Sequence, residues 1–577
     1  MNSIFYCISI LVIGILFLII KKNDKKIDII PEICITFLCV LAYQTLECIF
    51  LSVTSIPINL YTLLVINSIV IILFIIGIKK NGIQPFKIEK NDIWVAGIFI
   101  IIISIIGYYD FGKIENIRYY TTDASIHYIA AKEFYQNDKL LYKTEGTETA
   151  TQMMPVAYVN VGLAFKALEP IIGEMNFYKI FIIFDMLVFL TSALTFYFII
   201  KNKVKSKIQL ILAIIVTIIY LLGYPLNNLL SGFYYLGVGC LSINAILYVL
   251  GQKEYKKRLI LSLLNTTIIL SYSLFAPVVY ISIFIFNCFT THKNNKKILN
   301  KEFIIDTLIT LIIPGLIGTI YMLSPNIETV KYIAVEGYIY KNLLINVLFF
   351  IPFAFYFFVR KIKNKELDYK TIYIITLIMY ALILYIGTKT KLVSQYYFYK
   401  NAYILWAIII ICFYEGFIDF IEKHKSIKYI AYIYLIVYIL LGVTSIVLNK
   451  PILSIYDIYE NNHYLITHTE NLNNKEIEML KYLYDNNILS KTENNTLFIE
   501  DFMGEAWIRA IFKYRNRYPL EAGNHSKYIE KWNNGETEYL VVFEESRIYG
   551  IYKNYINLEN CKLLYETSNS KLYKINK

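Results

Sequence analysis

Asp123 and His127 are the residues of this chain best spaced to do chemistry together. They lie in Tyr119-Tyr-Thr-Thr-Asp-Ala-Ser-Ile-His-Tyr-Ile-Ala-Ala-Lys-Glu-Phe134, a polar-to-amphipathic segment that directly follows a long apolar run. Residues four apart share one helix face, so a carboxylate and an imidazole would project side by side. Such a pair supports proton transfer. The carboxylate can take the proton of a hydroxyl as it attacks, and the imidazole can hold that hydroxyl or orient the acid. A helix N-terminus at Asp123 would lower its pKa and keep it ionised. The plainer reading makes Asp123 a helix cap and His127 a polar contact at an interface. Asp110 and Glu115 are alternative acids in the same segment, both abutting the end of the apolar run.

Cations come from elsewhere in the chain. Ser394-Gln-Tyr-Tyr-Phe-Tyr-Lys-Asn401 places Lys400 beside Tyr396, Tyr397 and Tyr399, just before another apolar run. Lys400 would sit at the interface as a cation with the tyrosines around it. In the plainer alternative the tyrosines form an aromatic belt and Lys400 snorkels. Arg118, five residues before Asp123, is a second candidate cation. Glu47 and Asp185 fall inside apolar runs, where an acid is costly; they would pair with a neighbouring helix or relay protons. In Gly223-Tyr-Pro-Leu-Asn-Asn-Leu-Leu-Ser-Gly-Phe-Tyr-Tyr-Leu-Gly237, glycine, proline and asparagine break the helical pattern. Broken backbone at membrane depth is tolerated where it lines a cavity. The stretch would shape a groove there or make a simple turn.

The elements that position these residues follow from composition. The chain has 577 residues, 57% of them hydrophobic and 17% charged, too apolar for a soluble protein of this length. Its apolar runs of about 15–22 residues match a bilayer core. The net charge of +12 comes with lysines in short loops between runs, so it is not a nucleic-acid signal. Cys7, Cys34, Cys39, Cys48, Cys240, Cys288 and Cys412 lie in apolar runs and Cys561 near the C-terminus, without a CxxC pair or a histidine cluster. Neither a disulfide framework nor a zinc site is expected. The frequent Ile, Lys, Asn and Tyr fit an AT-rich bacterial genome.

About fourteen transmembrane helices are expected, with the N-terminus outside, because this topology puts every lysine-rich loop on the inner side. The N-terminal transmembrane helices fill residues 1–92 and a transmembrane core 93–448. The run Leu259–Phe289 folds as a hairpin turning near Ser273–Pro277. Between the fourth and fifth spans lies an outer loop, 110–175, holding the Asp123 helix, a polar stretch Asn137–Gln152 and a helix from Pro155 to Leu168 suited to the interface. The loops Ser324–Lys341 and Lys389–Lys400 fall on the same side. From Asn449 the composition turns polar. Residues 449–577 are enough for a small extracytoplasmic α/β domain. Leu497–Ile499 and Tyr539–Phe543 read as buried strands, Cys561–Tyr565 and Lys571–Ile575 as a hairpin, and Glu476–Tyr484 and Ala506–Lys513 as helices.

An acidic first outer loop, many spans and an outer C-terminal domain together resemble the GT-C class of membrane glycosyltransferases, most nearly the mannosyltransferase and aminoarabinose-transferase type. The resemblance rests on Thr122-Asp-Ala-Ser-Ile-His-Tyr-Ile-Ala-Ala131 and on the layout from about Ile93 onward. It implies a GT-C-like all-α polytopic fold and sugar transfer from a polyprenyl-phosphate donor to a lipid or glycan acceptor on the outer face, for a cell-envelope polysaccharide. Asp123 would be the general base of an inverting reaction with His127 beside it, and Arg118, Lys400, Tyr396 and Tyr397 would bind substrate. The family often carries two carboxylates in this loop; the adjacent second acid is missing here. Any divalent metal, Mg or Mn, would fall to Asp123. Membrane lipids are the surrounding partners and nucleic acid is not one. The alternatives are a lipid-linked oligosaccharide transporter, which would favour charged groups in a central cavity, and a surface-polysaccharide polymerase or ligase, which would carry its large outer loop later in the chain.

Overall fold

The computed structural model describes residues 2–140, 154–252, 257–295, 300–322, 347–448, 470–489, 496–512 and 525–576, with 450 and 465. The expected polar stretch Asn137–Gln152 lies mostly outside these residues, and the loop Ser324–Lys341 entirely so. The protein is mostly helical, with a small sheet region near the C-terminus. Twelve described helices are long and apolar enough to cross a membrane, or thirteen if one bent pair is a single span.

The chain begins with α1 (Asn2–Ile19), α2 (Ile29–Val53), α3 (Leu60–Asn81) and α4 (Lys90–Phe111). The amphipathic α5 (Asp123–Gln136) follows, then α6 (Pro155–Ile172), α7 (Phe177–Lys201), α8 (Lys207–Leu222), α9 (Tyr224–Ser231), α10 (Tyr234–Gly251), α11 (Arg258–Ser271) and α12 (Ala276–Asn295). Two departures from the expected spans have clear causes. α6, expected to lie in the interface, is itself long and apolar enough to cross. It begins with Pro155 and buries Val156, Val159 and Leu163, whose three- and four-residue spacing makes one apolar face. α11, expected as half of a transmembrane hairpin, has 14 residues. At about 1.5 Å per residue it falls short of a bilayer core about 30 Å thick. The hairpin is there, with α11 ending at Ser271 and α12 beginning at Ala276. A further expected span, Asn342–Val359, is described from residue 347 on and contains the short helix Ile351–Lys363, whose last turn carries Arg360, Lys361 and Lys363.

Burial separates centre from rim. Of the most apolar window of α10, 89% is buried inside the protein, against 11% for α3, so α10 is central and α3 presents its side chains outward. α7 and the helix Ala402–Lys423 share the centre with α10. The two ends of the bundle differ in charge chemistry. At one end Lys201 Nζ lies 3.6 Å from Asp28, 3.1 Å from Glu89 and 2.6 Å from Asp92, Lys203 lies 3.1 Å from Asp419, and Arg360 also pairs with Asp419. At the opposite ends of α4, α7 and Ala402–Lys423 lie Asp110, Phe177 and Lys400.

Near the C-terminus, β3 (Thr496–Ile499), β4 (Tyr539–Phe543), β5 (Cys561–Glu566) and β6 (Ser570–Ile575) form a sheet of order β3-β4-β6-β5. (The label numbers follow a two-residue parallel pair, β1 Ile27–Asp28 and β2 Phe86–Lys87.) β3 and β4 are parallel and the remaining pairs antiparallel. Parallel neighbours need a helical crossover, and Phe502–Ile511 and His525–Asn533 lie between them in the chain. Side chains alternate between the faces of a strand. Leu497, Ile499, Leu540 and Val542 pack under Tyr528, Ile529 and Trp532, while Phe498, Val541, Phe543 and Leu572 on the other face join the core shared with the helical bundle.

Candidate active site

Asp123 is the first residue of α5, and Thr122 occupies the cap position with no side-chain cap bond. Asp123 is therefore not the N-cap, and its side chain is exposed. His127 lies one turn further on, half-buried, with its ring 4.6 Å from that of Tyr235. Burial, and secondarily the ammonium of Lys400, push its pKa down to about 3, so the imidazole is neutral near pH 7.

Lys400 comes to this spot from the far end of the sequence. It is buried, and its Nζ lies over the rings of Phe233 at 4.8 Å, Tyr403 at 4.9 Å and Tyr396 at 5.1 Å. It is enclosed by aromatic faces rather than extended towards an interface, an arrangement that favours a cation electrostatically. The charge of Asp123 reaches Lys400, Tyr396 and Tyr235, and Tyr397 neighbours both of those tyrosines. Five of the residues singled out from the sequence thus meet: Asp123, His127, Lys400, Tyr396 and Tyr397.

Arg118 is engaged on another side. It lies 3.6 Å from Asp110 and donates to the carbonyls of Tyr109 at 3.1 Å and Leu465 at 3.2 Å, bracing the junction between α4 and the C-terminal region. Glu115 is exposed. Asp185 accepts a hydrogen bond from the Tyr119 hydroxyl at 2.9 Å, the pairing expected of an acid within a span. Glu47 is buried in α2, and its neighbour on the same helix is the Tyr43 hydroxyl.

The Gly223–Gly237 stretch is what joins the two halves of the site. α9 bends 41° away from α8. Along it the Tyr120 amide donates to the Leu230 carbonyl at 3.1 Å, and the Thr121 hydroxyl donates to that of Ser231 at 3.0 Å. Asn227 donates to the Tyr120 hydroxyl at 2.5 Å and accepts from Tyr403 at 2.7 Å. The run-up to Asp123 and the helix that follows Lys400 are therefore tied to one short helix. Gly232 closes it with φ +67°, and a Cβ there would lie 2.4 Å from the Cβ of Ala124. Glycine is required by both the left-handed backbone and the close approach.

A wall behind α5 comes from the C-terminal region. Trp507 stacks on Tyr119 with centroids 5.6 Å apart and lies 5.4 Å from the Tyr128 ring. The Tyr119 amide donates to Asn471 at 2.5 Å, and Ile117 pairs with Leu472. Sequence reasoning passed over Tyr235, Phe233, Tyr403 and Trp507. The first two lie in the flagged Gly/Pro/Asn stretch, whereas Tyr403 and Trp507 sit in ordinary apolar patterns that carry no local signal.

For a metal, the residues around Asp123 are a poor match. Among the described residues the acids close enough to share an ion are Asp28, Glu89 and Asp92, and the Lys201 ammonium already lies among them. The charged neighbour of Asp123 is Lys400, a cation. A hard divalent ion is usually held by several oxygens, including more than one carboxylate in an all-protein site. No family model matches the chain, and no curated protein matches it.

Proposed function

We propose that the protein is a membrane glycosyltransferase that moves a sugar from a polyprenyl-phosphate carrier to a cell-surface glycan or lipid acceptor, with inversion. The supporting observation is the meeting of an exposed carboxylate, Asp123, with a buried lysine, Lys400, brought from distant parts of the chain to the same end of the bundle. The carrier is an anionic lipid whose phosphate becomes the leaving group. Lys400 supplies positive charge where that negative charge develops. Asp123 takes the proton of the acceptor hydroxyl as its oxygen attacks the anomeric carbon. His127, neutral near pH 7, orients the acceptor or Asp123 by hydrogen bonding and does not serve as a cation. Tyr396 and Tyr397 flank the carrier head group. In this reading the reaction takes place on the outer face, where the C-terminal domain also lies, and no step is assigned to a metal.

The test is the surface-sugar composition of a deletion strain complemented with wild type or Asp123→Asn at equal membrane abundance. Restoration of a missing sugar by wild type alone is expected, and that sugar names the substrate class. Full restoration by Asp123→Asn would overturn the assignment of Asp123 as base. The transporter alternative draws on a different observation, the buried carboxyl of Glu47 in α2 beside Tyr43, and would then take precedence.

A further inference from the structure

Next to Lys400 a recess enters the bundle between α7, α9, α10 and the start of Ala402–Lys423. Phe233, Tyr403 and Cys240 line it. The first two are rings of the Lys400 enclosure, and Cys240 is within reach of the Lys400 charge. Asp185, Ser192, Asn228 and Tyr234 also line it, with the apolar Val188, Phe189 and Leu229. Asn228 Oδ1 and the Tyr234 hydroxyl are buried without a hydrogen-bond partner among the described residues. Buried polar atoms are almost always satisfied, so two orphans on residues that line one recess point to a group that fills it. Counted with its mouth the recess spans about 410 Å3, but the space inside that a water-sized group can occupy is about 20 Å3. That is room for about one water or one hydroxyl, not for a sugar ring.

We propose that this recess is a specificity notch for the hydroxymethyl arm of a hexosyl group, read by Asn228 and Tyr234. The inference rests on the transferase reading and adds a substrate class to it. With the carrier phosphate at Lys400, the sugar ring lies at the mouth between Phe233 and Tyr403. A one-carbon arm passes the apolar walls and delivers a single hydroxyl to the orphan groups. That hydroxyl donates to Asn228 Oδ1 and accepts from Tyr234. A site built to hydrogen-bond a hydroxyl rejects analogues that lack it, because its buried polar groups are then left unpaired.

The full-length protein in lipid nanodiscs is titrated with bare polyprenyl phosphate and with a panel of polyprenyl-phosphohexoses, each paired with its 6-deoxy counterpart. Wild type should bind bare carrier, and should bind its preferred hexosyl carrier at least tenfold more tightly than the 6-deoxy form. Asn228→Leu and the conservative Tyr234→Phe should each shrink that ratio several-fold, with unchanged affinity for bare carrier as the sign of an intact fold. Equal binding of hexosyl and 6-deoxy forms by wild type, or an unaltered ratio in both variants, overturns the notch alone, leaving it a pocket for a buried water. Failure of bare carrier to bind, or equal binding by Lys400→Met, overturns the carrier reading and the notch with it.

Discussion

His127 is where the residue scale gives its sharpest test. The sequence offers a histidine four residues from an acid, which by itself is compatible with a charged or a neutral imidazole. In the fold the ring packs on Tyr235, and burial, with the Lys400 charge within reach, pushes its pKa down to about 3 from the usual 6.5. The unfolded chain therefore binds more protons than the folded one between these values. The stability that depends on a neutral His127 is complete above pH 6.5 and is lost as pH falls towards 3. Thermal unfolding measured across this window should show a steeper acid loss for wild type than for His127→Gln. Identical slopes would mean that the ring is solvated. The same neutrality means that no histidine limb from His127 should appear in the activity profile between pH 5 and pH 8. Lys400 was legible as a candidate from its tyrosine neighbours in sequence, yet its enclosure also uses Phe233 and Tyr403, which no local pattern links to it.

At the scale of elements, α9 determines whether the site exists. It is eight residues long, too short to be stable alone, and is held by what it joins. Its closing residue, Gly232, combines a left-handed backbone with contact against Ala124, the residue after Asp123. Gly232→Ala would add about 1–2 kcal/mol of backbone strain and a steric clash that moves the start of α5. The proposed transfer activity should therefore fall by more than the loss of thermal stability explains. Parallel assays of melting temperature and surface-sugar restoration check this, and normal activity in a destabilised Gly232→Ala would show that α9 does not set the position of Asp123. Glycine, proline and asparagine announced a break here, but the sequence could not say that the break is a helix, or that it faces Tyr120 and Tyr403.

For the whole molecule, the decisive contact lies between the C-terminal region and the helical bundle. Trp507 is fully buried against Tyr119, Tyr128 and Phe181. Tyr119 in turn donates to Asp185, whose side chain lines the recess beside Lys400. Truncating Trp507 to alanine should cost about 3–5 kcal/mol and loosen the junction, seen as faster proteolysis of the C-terminal region. Trp507→Phe should keep the junction protected, because the indole N–H has no acceptor among the described residues and its loss removes no bond. Equal protease resistance of wild type and Trp507→Ala would refute the docking role.

The sequence by itself determined the membrane class, the helix beginning at Asp123, the hairpin near Ser273 and the strands of the C-terminal sheet. These depend on run length, local periodicity and turn residues, which are properties of neighbouring positions in the chain. Which helices are long enough to cross a bilayer was less legible: α6 and α11 show that an apolar run does not state where its helix will start and stop. Only the tertiary structure decided that Asp123 meets Lys400, that Arg118 turns towards Asp110, and that Trp507 backs the loop. In runs apolar on all sides, no periodic signal marks the face that will be buried. The choice is made by packing against partners hundreds of residues away, and it exists only once those partners are in place.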